Sequence, residues 1–358
     1  MKEWLKYWRF LIVLAFLGLS LLLMEQTKTR TPKENAPLML AAAEKTEAAF
    51  SAIRTEKLVR GYPVSPLDDP NATGLIGEPY TEITTTLGSL ESKRSTTNPN
   101  VAAMIVDMLL QCGVGKGDKV AVNLSSSFPC LNLAVLCALD TLEARGVIIN
   151  SVGASTYGAN LPEFTYLDME QLLLDQGLIS NHSLYFSMGG AGDLGKEMPE
   201  EVKSAICSRL EARGLSLLHF EDLTENLAHR SQLYEEGGLP VCFINAGGNL
   251  LSFGGGTEMV SAHNGILSPE AYRPKGGENG LIPHYLQQGV PVIHLLNMKT
   301  LLPAYGLPYD PSPLPAVGDG GVYSTWQYQI PLGCCLALLS VLLLFWAARS
   351  YPHRKIPL

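Results

Sequence analysis

Four stretches of small polar residues interrupt apolar runs: Ser125-Ser126-Ser127, Ser151-Val152-Gly153-Ala154-Ser155, Ser187-Met188-Gly189-Gly190 and Asn245-Ala246-Gly247-Gly248. Serine and asparagine supply hydrogen bonds, and glycine lets backbone approach a ligand closely. Lys93 and Arg94, just ahead of Thr96, Thr97 and Asn98, form the densest cationic patch near a helix start and suit a carboxylate or phosphate. A serine in a strand-to-helix turn can also act as a nucleophile. Ser125 and Ser127 are therefore the catalytic candidates, with Asp168 as an acid or base and Asp193, in a glycine-rich loop, as a second acid. A histidine base would come from His182, His219, His263, His284 or His294. Each residue has a plainer reading beside it. Serines cap helices, glycines serve tight turns, and Asp168 and Glu170 start a helix, where acids favour the dipole.

The specific signatures are missing. There is no G-x-S-x-G elbow and no G-x-x-x-x-G-K-[ST], and no G-x-G-x-x-G follows the first strand. No cofactor is expected, and the histidine spacing points to no metal site.

The elements that must position these residues are legible as alternating runs. Residues 119–124 read as a buried strand, the serines as a turn, 131–142 as a helix and 147–149 as a second strand: one βαβ unit with a right-handed crossover. Pro129 fits the first helical position, where a missing N–H costs nothing. Further strands are expected at 82–87, 184–188, 215–219, 240–245 and 290–296, and helices at 37–59, 168–176, 199–213, 224–234 and 281–287. Asn98-Pro99 starts another helix, which Gly113 stops, while 90–97 reads as a loop. The fold class is α/β, with a mainly parallel sheet and flanking helices, Rossmann-like but without a dinucleotide fingerprint. In such a sheet the four small-residue stretches end strands at one edge and line one shared crevice.

The chain ends are apolar. Residues 10–24 with the preceding aromatics, and the uncharged stretch 330–348, read as membrane-spanning helices. Lys2, Lys6 and Arg9 before the first, and Arg349, Arg354 and Lys355 after the second, place both termini in the cytoplasm by the positive-inside rule. The expected layout is an anchor at 1–24, an extracytoplasmic α/β domain at 25–300 with a membrane-proximal helix, a proline-rich tether at 301–328, a second span at 329–348 and a basic tail at 349–358. Formal charge is −8 overall; residues 1–9 carry +2 and residues 349–358 carry +3, so residues 10–348 carry −13. An acidic outer domain is a poor trap for nucleic acid, which is not an expected partner. The seven cysteines show no paired or metal-like spacing and read as small core residues.

Several stretches resemble the poly-gamma-glutamate system protein family, membrane components associated with poly-γ-glutamate capsule biosynthesis. They are ITTTLG (83–88), KRSTTNPN (93–100), SSSFPCLN (125–132), SVGASTYGAN (151–160), TYLDME (165–170) and SMGG (187–190), together with the two-anchor layout. The family carries a glycine in the middle of the serine turn, where this chain has Ser126. The resemblance implies a process: an accessory component that handles an anionic polymer at the outer face of the cytoplasmic membrane, beside the other membrane subunits of the synthase. It brings no catalytic residues with it. An extracytoplasmic hydrolase or transferase acting on γ-glutamyl bonds, and a non-catalytic cell-surface scaffold, are the alternatives.

Overall fold

The computed structural model describes residues 7–254, 264–273 and 279–349. His263, Lys2, Lys6, Arg354 and Lys355, which enter the expectations above, lie outside them. The chain forms two units, 34–323 and the paired ends 1–33 with 324–358.

The central unit is built on a seven-stranded sheet. Its strands are β1 (Lys119–Ser125), β2 (Arg145–Ser151), β3 (Tyr185–Ser187), β4 (Ser216–Leu217), β5 (Cys242–Ala246), β6 (Gly265–Leu267) and β7 (Val292–Leu295). They lie in the order β6-β7-β5-β1-β2-β3-β4, all parallel except the antiparallel edge strand β6. The first strand is central: β2, β3 and β4 extend the sheet to one side before β5 and β7 extend it to the other. The direction therefore reverses between β1 and β5, the place where open parallel sheets leave a gap between diverging loops. The parallel strands run six in order, with three on the first side instead of the two in the 3-2-1-4-5-6 arrangement.

Among the described residues, the helices of this unit include α1 (Ala36–Val59), α2 (Leu90–Thr96), α3 (Val101–Gln111), α4 (Pro129–Thr141), α5 (Tyr166–Asp175), α6 (Glu200–Glu211), α7 (Leu223–Glu235), α8 (Leu281–Gln287) and α9 (Met298–Ala304). Side chains alternate across a strand, and here that alternation feeds two cores. Val120, Val122, Ile148, Phe186, Ile244 and Ile293 face the larger core, with α1, α3, α4 and α5. Ala121, Val147, Ile149, Phe243 and Val292 face a smaller one, with Tyr234 of α7 and Leu281 and Tyr285 of α8. A sheet covered on both faces explains why β1 and β2 read as continuous apolar runs.

Two expectations are corrected. Residues 90–97 are not a loop: α2 occupies them, capped by Ser89, whose Oγ accepts from the Ser92 N–H at 3.1 Å. It escapes a hydrophobic-pattern reading because the side chains it buries, Lys93, Ser95 and Thr96, are polar. The proline-rich segment, expected as a stiff tether at 301–328, is packed over most of its length. Up to Tyr323 it belongs to the central unit, where Pro311 O accepts from Asn71 Nδ2 at 2.9 Å and Ala316 O from Asn100 Nδ2 at 2.9 Å. The helix α1 packs in the larger core through Met39, Ala42, Ala49, Phe50 and Ile53.

In the other unit, Trp8–Thr27 and Ile330–Arg349 are 20-residue helices, both long and apolar enough to cross a membrane. They run antiparallel, with the Trp8 and Trp346 rings edge to face at 5.8 Å. A two-stranded antiparallel ladder, Thr29–Pro32 with Ser324–Gln327, closes the other end of the pair.

Candidate functional site

The polar strand ends do converge, but their side chains are buried and bonded to one another. Two linked clusters result. The first gathers around the serine turn. Asn132 Nδ2 holds Ser125 O at 2.8 Å, and Ser126 Oγ donates to Ser151 O at 2.7 Å. Ser125 Oγ donates to Ser127 Oγ at 3.0 Å, and Ser127 Oγ accepts the Ser155 N–H at 3.0 Å. Into this group α2 delivers Lys93, which is 3% exposed. Its Nζ donates to Ser127 O, lies 2.7 Å from Ser155 Oγ, and sits 3.6 Å from the centroid of the Phe128 ring. Among the described residues no carboxylate pairs with it. Burial pulls the ammonium down from its ordinary value of 10.5 to about 7. The KRSTTNPN, SSSFPCLN and SVGASTYGAN stretches thus meet at one amine.

The second cluster lies on the face of α7. Arg230 is fully buried. Its Nη1 donates to Asn123 Oδ1 at 2.7 Å, its Nε to Asn226 Oδ1 at 3.0 Å, and its Nη2 to Ser187 Oγ at 2.9 Å and Asp193 Oδ2 at 2.7 Å. Ser187 Oγ in turn donates a hydrogen bond to Asp193 Oδ1 at 2.8 Å. Asn123 Nδ2 then reaches Asn245 Oδ1 at 3.2 Å, and Asn245 Nδ2 meets Gly247 O at 2.9 Å and His294 Nδ1 at 3.2 Å. Burial drives His294 down to about 4, which leaves the imidazole neutral at pH 7. Asp193 adopts φ +66, a left-handed conformation uncommon outside glycine, and these bonds hold it there. Gly189 and Gly190 bend the same loop with φ +72 and +64, while Gly247, φ +100, abuts Ser125 and Gly248 is exposed.

Other expected residues stand elsewhere. Arg94 is held bidentately by Asp310, at 2.7 and 2.6 Å, and is neutralised by it. Thr96 and Thr97 close their own helix by donating to Lys93 O and Arg94 O, and Asn98 Oδ1 accepts the Asn100 N–H at 3.0 Å. Asp168 caps α5 through Thr165 N and Oγ1 and binds Arg209 and Arg213, so its carboxylate is fully occupied in joining α5 to α6. None of His182, His219, His284 and His294 hydrogen-bonds a serine of the 125–127 turn. A surface cavity of about 850 Å³, lined by His229, Gln232, Glu235, Glu236 and His284 among others, includes His284 of the base candidates but none of the expected serines, Lys93, Asp168 or Asp193. No disulfide joins the described cysteines; Cys130, Cys137 and Cys242 are buried, and burial raises the first two thiols to about 12 and about 11.

Sequence reasoning missed Arg230, Asn226 and Asn123. One signal was available: Asn226, Arg230 and Tyr234 recur every four residues and so share one helix face. The fold and site define an α/β protein with a mostly parallel sheet, a buried polar layer at the carboxyl ends of its strands, and two apolar terminal helices. No family model, curated protein or solved structure matches the chain.

Proposed function

We propose that the chain is an accessory component of poly-γ-glutamate synthesis or export. Its terminal helices anchor it in the cytoplasmic membrane with both ends inside, and its α/β unit handles the anionic polymer at the outer face, beside the other membrane subunits of the synthase. The observation that carries this reading is Lys93, a buried amine set among Ser127 and Ser155 with no carboxylate partner among the described residues. In its protonated form the amine can donate to an amide oxygen of an arriving polymer segment. Arg94, by contrast, already has Asp310. The antiparallel packing of the two apolar helices and the resemblance of residues 83–88, 93–100, 125–132, 151–160, 165–170 and 187–190 support the same reading. Deleting the gene in its native host and measuring polymer amount, chain length and surface attachment is the test. Wild-type polymer in all three respects would remove the proposal.

A further inference from the structure

We propose that Ser155 and Lys93 form a nucleophile–base pair for acyl transfer, with an amide or ester carbonyl as the substrate group; that the amide belongs to a γ-linked polymer rests on the function proposed above. The geometry is that of a hydroxyl and an amine 2.7 Å apart, with the amine 3% and the serine 3% exposed. A lysine paired with a carboxylate would keep its proton. Among the described residues this one faces a hydroxyl, a carbonyl and an aromatic ring, and its depressed pKa of about 7 leaves much of it free to accept a proton near neutrality. The Phe128 face beside Nζ favours the ammonium that forms when the proton arrives. Ser155 is itself fixed through its backbone N–H to Ser127 Oγ, which Ser125 Oγ in turn engages.

Access is built into the cover. Gly88 lies directly on the pair: a Cβ there would come 2.6 Å from Ser155 Oγ and 3.3 Å from Lys93 Cε. The Gly88 N–H and O are strapped only to the Thr156 hydroxyl, at 2.8 and 3.2 Å, and the neighbouring Leu87 is 88% exposed. This segment, whose Thr84 and Thr86 also pair with Ala154 and Ser155, must move for a carbonyl to reach the serine. In the reaction, Ser155 Oγ bonds to the carbonyl carbon while its proton passes to Lys93 Nζ. The C–N bond of the amide (or C–O bond of the ester) then breaks as Lys93 returns that proton to the leaving group. Water attacks the acyl-serine, giving one proton to Lys93, and expulsion of the carboxylic acid takes that proton back to Ser155 Oγ.

The test uses the full chain in nanodiscs with a fluorophosphonate probe, mass spectrometry of the adduct, and a pH series from 6 to 9. The expected result is an adduct on Ser155 whose rate rises with an apparent pKa near 7, is lost in Ser155→Ala, and falls at least tenfold with an altered pH profile in Lys93→Met. Ser155→Cys, labelled with iodoacetamide, covers the case in which the alanine variant fails to fold; its thiol should react fastest when Lys93 is intact. No adduct on Ser155 in folded wild-type chain, or an adduct whose rate and pH profile ignore Lys93→Met, overturns the pair. Incubation with poly-γ-glutamate separates the two proposals. Fragments from wild type but not from Ser155→Ala support the polymer as substrate, whereas a Ser155 adduct with intact polymer keeps the pair and overturns that substrate. Loss of polymer on gene deletion without any Ser155 adduct keeps the accessory role and overturns the pair.

Discussion

Arg230 offers the sharpest stability prediction. Arg230→Met keeps much of the side chain's length while removing a fully buried guanidinium that serves Asn123, Ser187, Asp193 and Asn226. Asp193, 6% exposed, is left with Ser187 and Asn226 and no cation. Removing one member of a buried ion pair costs roughly 3–5 kcal/mol, because the other charge stays buried without compensation. The central unit spans about 290 residues, so at ~2.1 cal/mol/K per residue its unfolding entropy is about 0.6 kcal/mol/K. A loss of about 4 kcal/mol then lowers Tm by about 7 °C. Adding Asp193→Asn removes the stranded charge, so the double variant should recover about 2 kcal/mol relative to the sum of the single changes. Near-UV circular dichroism of the detergent-solubilised chain on heating reads both values. A Tm shift below about 2 °C for Arg230→Met, or strictly additive single changes, would refute the claim that this ion pair ties α7 to the strand ends.

Asp168→Asn should destabilise by about 1–3 kcal/mol, through the lost cap and the pairs with Arg209 and Arg213, and leave the Ser155 adduct intact; urea midpoints and labelling check both. Glu170 is buried, and burial raises its carboxyl from 4.5 to about 7 against the bonds from Ser183. Its stabilising contribution is complete below pH 4.5 and is lost as pH rises through 7, so Glu170→Gln should flatten Tm between pH 4.5 and 7. Lys93 has the opposite sign: its depressed value gives a contribution complete above 10.5 and lost as pH falls through 7, which Lys93→Met should abolish. Asp310→Ala frees Arg94 and the Pro311 segment from α2, and limited proteolysis between residues 305 and 320 should speed up about tenfold, matching ~1.4 kcal/mol for a charge-assisted pair. Unchanged cleavage would show that the prolines alone hold the segment down.

The sequence by itself determined much of the frame. Strongly periodic or largely apolar runs gave β1, α4, β2, α7, β5 and β7 to within two residues at each end, because burial on both sheet faces makes most strand positions apolar. The two apolar ends were equally legible from length and composition. It could not show α2, whose buried face is polar, or the docking of the proline-rich segment, which depends on partners more than 200 residues away, such as Arg94 with Asp310. The site divides along the same line. Ser125, Ser127, Ser151, Ser155, Ser187 and Asn245 were visible as small polar residues ending strands, but their partners were not. Lys93 and Arg94, adjacent and chemically alike in the chain, are parted by the helix that carries them: one turns inward to Ser155, the other outward to Asp310. Only packing decides which cation is cancelled and which is left facing a hydroxyl, because that choice is set by residues distant in sequence and close in space.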